Sequence, residues 1–208
     1  MSNSDPTKRL TQDLARDLDR HFDDLVVTFQ QPLFAYAYRT SGCRQDAEEV
    51  TQDVFIRAYR ALREYEPERI RSLAVRAWLF QICINQIRNK HRRARVSTTE
   101  LPDDLGQTDG PSDPVAHSYQ RSEDGKAMAE LVNRLPAKYR TPVILRFVND
   151  LSYPEISEAL GQPEGTVKSS VHRGLKLLRS YIEPSGERAM SLSATSTPHP
   201  SFPSGEPA

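Results

Sequence analysis

The chain has 208 residues, room for one or two small domains with thin cores. Lys plus Arg and Asp plus Glu number 28 each, so affinity for nucleic acid must come from local clusters, not from the total charge. No stretch approaches the ~18 apolar residues of a membrane span, the polar N-terminus lacks a signal peptide's apolar run, and neither Cys43 nor Cys83 has a second ligand at zinc spacing. These features exclude membrane insertion and a disulfide scaffold, and they predict a cytoplasmic protein without metal or cofactor.

Residues 1–20 form an N-terminal extension ahead of the first periodic run. From there Phe22, Leu25, Val26, Phe29, Leu33 and Ala37 recur at three and four, which predicts an amphipathic helix ended by Ser41-Gly42. A second helix is expected from about Asp46 to Tyr65, with Val50, Val54, Phe55, Ala58 and Leu62 on its apolar side and acidic residues at its positive end. Glu66-Pro67-Glu68 breaks it and opens a charged loop through Arg71. The third helix, about Val75 to Arg93, buries Trp78, Leu79, Ile82, Cys83 and Ile87. It leaves Asn85, Arg88, Lys90, Arg92 and Arg93 for a partner.

Residues 96–122 are acidic and broken by Pro102, Gly106, Gly110, Pro111 and Pro114, the composition of a flexible linker. Helical pattern resumes at Met128, Leu131, Val132 and Leu135, then from Pro136 to Val148, where Pro142 should kink the helix or mark its start. Residues 184–208 are rich in Pro and Ser and read as a disordered tail.

Between these, Ser152-Tyr153-Pro154-Glu155 matches a capping box, which closes open backbone N–H groups in a first helical turn. Gly161-Gln162-Pro163 makes a turn, and Val167, Val171, Leu175, Leu178 and Ile182 form the stripe of a following helix. Short helix, glycine turn and longer helix is the arrangement that places a helix in the major groove. The other face of that helix carries Thr166, Lys168, Ser169, Ser170, His172, Arg173 and Lys176, donors suited to phosphates and base edges. No phosphate-binding glycine loop, nucleophile motif or paired-His metal site accompanies them, so the chain is not read as an enzyme.

Taken together the two halves resemble bacterial RNA polymerase sigma factors of the extracytoplasmic-function class, in the sigma-70 superfamily. Asp46-Ala47-Glu48-Glu49-Val50-Thr51-Gln52-Asp53-Val54-Phe55 with Arg57-Ala58-Tyr59-Arg60-Ala61-Leu62 resembles the family's core-polymerase-binding helix. Arg76-Ala77-Trp78-Leu79-Phe80 with Ile82 and Asn85 resembles its promoter-melting helix. In the second half Leu135-Pro136, Tyr139-Arg140, Leu145-Arg146-Phe147, Leu151 to Ile156 and Gly165 to Ser169 fit its pattern.

The resemblance implies an all-α fold of two small helical domains joined by a flexible linker. Residues 21–95 would be the sigma region 2 domain, held on the clamp helices of the polymerase beta-prime subunit and gripping the minus-10 element. Residues 123–183 would be a region 4 helix-turn-helix domain, a winged-helix-like four-helix module on the beta flap and the minus-35 element. Asp46, Glu49, Gln52, Asp53 and Arg57 would meet polymerase. Asn85, Arg88, Lys90, Arg92 and Arg93 would lie along the opened minus-10 strand, with the loop from Tyr65 to Val75 cradling an unstacked base. An anti-sigma factor is a further partner in view. The chain departs from the pattern at a longer loop before Trp78, at Ser170 where many relatives carry Arg, and in its Pro-rich tail. The competing reading is a stand-alone helix-turn-helix regulator that needs no polymerase; its discriminator is the first half, which such a regulator would not require. A third reading has the DNA surfaces masked by an anti-sigma partner or by the chain's own acidic linker and tail.

Overall fold

The computed structural model describes residues 6–97 and 123–182; most of the expected linker and the whole of the expected tail lie outside them. The first module comprises α1 (Pro6–Arg16), α2 (Leu18–Ser41), α3 (Arg44–Arg63), α4 (Pro67–Ser72) and α5 (Val75–Ser97). The second comprises α6 (Glu123–Asn133), α7 (Ala137–Phe147), α8 (Tyr153–Leu160) and α9 (Glu164–Ile182). No strand occurs among the described residues.

Local chemistry sets the boundaries. Asp17 takes an extended conformation and its carboxylate accepts from the Arg20 N–H at 3.2 Å, which caps α2. Gly42, at φ 71°, ends the same helix in the left-handed conformation that a side chain disfavours. Pro67 opens α4, where its missing N–H costs nothing. Residues 67–72, expected as loop, are therefore a short helix. The N-terminal extension is likewise built into the module: α1 packs on α2 and α4, and Leu14 is buried. Its signal in sequence is short, since only Leu10, Leu14 and Ala15 repeat along one face.

Pro32 and Pro142 both lie inside helices, α2 and α7. Pro142 is buried, so packing against neighbours offsets the hydrogen bond its ring removes. Helices α7 and α9 approach closely because position 174 is glycine: a Cβ there would stand 2.7 Å from Val143 Cγ2. Leu135, Val143 and Leu178 form a small core in this module, with Leu131, Val132, Leu177 and Tyr181 around it.

The two modules are packed on one another through α5 and α8. A continuous apolar core joins Leu33, Ala37, Leu79, Phe80 and Cys83 of the first to Leu145, Leu151 and Ile156 of the second. Polar contacts also cross the junction. The Asn149 amide donates to the Pro32 carbonyl at 3.1 Å, and the Arg76 guanidinium donates to the Asn149 carbonyl. Arg76 also lies 4.0 Å from the Glu155 carboxylate. A left-handed residue, Asp150 at φ 53°, closes α7 and carries the Leu151 N–H back to the Leu145 carbonyl at 2.9 Å. That turn holds Asn149 at the junction.

Candidate nucleic-acid interface

The helix-turn-helix is built from its caps. Ser152 Oγ accepts from the Glu155 N–H at 3.4 Å while Glu155 Oε2 accepts from the Ser152 N–H at 2.7 Å, a complete capping box on α8. Gly161, at φ 63°, closes α8, and the Gln162 N–H returns to the Ser157 carbonyl at 3.1 Å. The Thr166 and Val167 N–H groups both donate to the Pro163 carbonyl, which starts α9. Val167, Val171, Gly174 and Leu178 then face the core, and the other side of α9 is presented outward.

On that outward side Thr166, Lys168, Ser169, His172, Arg173 and Lys176 are exposed, and Ser170 is half-buried. Leu175, assigned to the apolar stripe from sequence, is also exposed. The cations are not equivalent. Lys168 is paired with Glu164 at 2.6 Å, one helical turn away, and this hydrogen bond raises its pKa. Arg173 lies beside the Tyr139 hydroxyl together with Lys138. Hydrogen bonds from Lys138 and then Arg173 hold that phenol below its ordinary range.

In the first module Asn85, Arg88, Arg92 and Arg93 are exposed along α5. Lys90 is different. Its ammonium contacts Asp46 at 2.8 Å and Glu49 at 2.6 Å. Partial burial lowers its pKa, but the hydrogen bonds to these two carboxylates outweigh that and raise it. Three residues assigned to two different partners are thus tied to one another across α3 and α5. Gln86 of α5, buried, similarly reaches Asp53 at 3.3 Å and contacts the Arg57 guanidinium. Gln52 and Arg57 remain exposed on α3, and between them lies Ile56, 48% exposed. Sequence reasoning passed over Ile56; its position one turn from Gln52, off the stripe of Val50, Val54, Ala58 and Leu62, was the available signal.

The segment from Tyr65 to Val75 carries an aromatic and cationic stack. The Arg69 guanidinium lies 3.6 Å from the Tyr65 ring centroid, and that ring is 6.1 Å from Trp78. Trp78 is half-buried and packs on the core edge. Residues 71–74 and Arg76 border a cleft whose other walls are Thr7, Lys8 and Thr11 of α1 and Glu155 of α8. Among the described residues no group of three His, Cys, Asp or Glu side chains could hold a metal, and no helix is long and apolar enough to cross a membrane.

Two helical modules, each with a basic or polar face suited to DNA, define a bipartite DNA-binding protein. Residues 25–96 match the family model Sigma-70 region 2, and residues 126–178 match Sigma-70, region 4. The ECF RNA polymerase sigma factor SigW of Bacillus subtilis is 31% identical over 184 residues, spanning 84% of this chain and 95% of SigW. SigE of Mycolicibacterium smegmatis, another ECF sigma factor, is 34% identical over 172 residues, and the match takes in 82% of this chain but only 65% of SigE. In fold the chain is similar to CnrH, solved in complex with the cytosolic domain of CnrY, at a TM-score of 0.62, 23% identity and coverage of 86% of this chain and 97% of that one. It is also similar to RpoE of Bartonella quintana, solved in complex with the anti-sigma factor NepR, at 0.58, 24% identity and coverage of 77% and 96%. The chain belongs to the extracytoplasmic-function group of sigma-70 RNA polymerase sigma factors.

Proposed function

We propose that this sigma factor grips a promoter at two points, with α9 reading the minus-35 element in the major groove and the polar edge of α5 holding the opened minus-10 strand, while α3 docks on the polymerase clamp. The observation that carries this reading is the placement of two outward, cation-bearing faces on separate modules, one on α5 and one on α9. Its own side chains make and break no bond. They supply sequence selection and strand capture, which need donors, cations and stacking surfaces.

Within α9 the exposed Arg173 and Lys176 are the strongest candidates for duplex contact. On α5, Arg88, Arg92 and Arg93 are exposed cations with no carboxylate partner among the described residues and would hold the backbone, whereas Lys90 serves first to join α5 to α3. The polymerase face of α3 centres on Gln52, Ile56 and Arg57, an apolar anchor between polar groups. Core polymerase and promoter DNA are the partners. An anti-sigma factor is a third, supported by the presence of NepR in the RpoE complex.

Purified chain added to core polymerase and a promoter library should direct specific transcripts. Duplex retardation without any polymerase-dependent transcription would favour a stand-alone regulator. Ile56→Asp should weaken capture of core polymerase while leaving duplex binding unchanged; equal polymerase binding would remove α3 from that interface.

A further inference from the structure

Helix α1 ends before residue 25, where the match to Sigma-70 region 2 begins, so the family likeness assigns it no role. Its surface is nonetheless one-sided. Thr11 and Leu14 are buried, with Leu10 and Ala15 packed on the core, while Lys8, Arg9 and Arg16 are exposed. Helix α1 packs on α4, which forms part of the longer loop before Trp78. The N-terminal extension and that loop are thus built against one another.

The groove beside them is lined with cations. Lys8 of α1, Arg71 of α4 and Arg76 of α5 border one cleft of about 380 Å³, with Leu73 and Ala74 as its apolar wall. A second cleft of about 280 Å³ shares Thr7 and Arg76 with the first and continues to Thr28 and Pro32 of α2. Ligand clefts run from ~300 to ~1,000 Å³, so these two take a strand segment and not a duplex. The nearby acids are already engaged. Glu68 is 79% exposed and pairs with Arg71 at 2.8 Å, a surface contact of little energetic weight that a phosphate can replace. Glu155 Oε2 accepts from both the N–H and the Oγ of Ser152 at 2.7 Å. Lys8 has no ion pair among the described residues. At the mouth of the groove Arg69 stacks on Tyr65, two positions before Arg71.

We propose that α1 makes a third nucleic-acid contact, in which Lys8 and Arg71 hold phosphates of the opened strand as it leaves the minus-10 loop and runs along this groove. The proposal rests on the promoter-grip reading and adds to it a helix outside both matched segments. A narrow cationic groove with an apolar wall and an aromatic ring at its mouth offers what an unpaired strand requires, neutralisation of the backbone together with a surface for bases. Arg76 contributes less, because its guanidinium already donates to the Asn149 carbonyl.

The test is the salt dependence of strand binding by the full chain with core polymerase, using a fluorescent single strand that carries a mapped minus-10 element and flanking nucleotides on each side. On single strands each phosphate contact contributes ~0.7 to the slope of log K against log salt. K8Q/R71Q alters two exposed side chains and should therefore lower the slope by about 1.4 and weaken binding near 0.15 M salt by roughly tenfold. K8R/R71K keeps both charges and should return the wild-type slope. An unchanged slope in K8Q/R71Q, or a slope lowered equally by K8R/R71K, overturns the phosphate contact, since a purely structural role for α1 would not follow charge. Failure of the wild-type chain to engage the strand would overturn the promoter-grip reading and this contact with it. A wild type that binds with a slope indifferent to Lys8 and Arg71 leaves that reading standing and removes α1 alone.

Discussion

Arg173 and Lys90 show how differently two cations of a DNA-binding protein can be placed. Arg173 is exposed and hydrogen-bonds the Tyr139 hydroxyl, a neutral partner that leaves its charge available to a base edge. Arg173→Ala should reduce preference for the correct minus-35 sequence by roughly 1–3 kcal/mol, read as the transcript ratio from promoters differing only there. Equal loss from every promoter would mean that the side chain holds phosphate alone. Lys90 is already neutralised by Asp46 and Glu49. Lys90→Ala should therefore change the salt dependence of DNA binding less than Arg88→Ala, which should lower the slope by about one. The pairing of Lys90 was not legible in the sequence, because its partners lie more than forty positions earlier and meet it only when α3 packs on α5. The cysteines separate as cleanly. Cys43 is half-buried, whereas burial pushes the Cys83 thiol up to about 12. A thiol reagent near pH 8 should label Cys43 rapidly and Cys83 only on unfolding; comparable rates would contradict the burial. Tyr36, raised chiefly by burial, is also held at about 12, so in both cases the unfolded group ionises first. Stability from these groups is complete below about pH 9 and is lost as pH climbs toward 12.

At the level of single helices, the caps and one close approach carry testable weight. Ser152→Ala removes the hydroxyl that accepts from the Glu155 N–H and should cost about 1 kcal/mol in denaturant unfolding. Gly174→Ala drives a Cβ into Val143, whose branched side chain has little freedom to move aside, and should cost about 1–3 kcal/mol by pushing α9 off α7. No loss of stability would mean that the helices slide apart without strain. The helix-turn-helix was legible beforehand because its cap, its glycine turn and its apolar stripe all point to the same boundaries. Helices α1 and α4 were not. Each is short, and each draws its stability from packing on its neighbours, α1 on α2 and α4 and α4 on α1.

For the molecule as a whole, the two-module organisation could be read from the sequence, since apolar periodicity lapses between Arg95 and Glu123 and resumes afterwards. Contact between the modules could not. It depends on Asn149 meeting the Pro32 carbonyl and on apolar faces of α5 and α8 that each look, in sequence, like ordinary core positions. In the two-point grip both modules act together on one promoter. Its most direct measurement is run-off transcription by core polymerase plus the purified chain on a mapped promoter, with the minus-10 and minus-35 elements scrambled separately and spacing kept constant. Loss of the transcript on scrambling either element, and its absence without the chain, is the expected result. A transcript that persists with one element scrambled, or that appears with polymerase alone, would contradict a two-point grip.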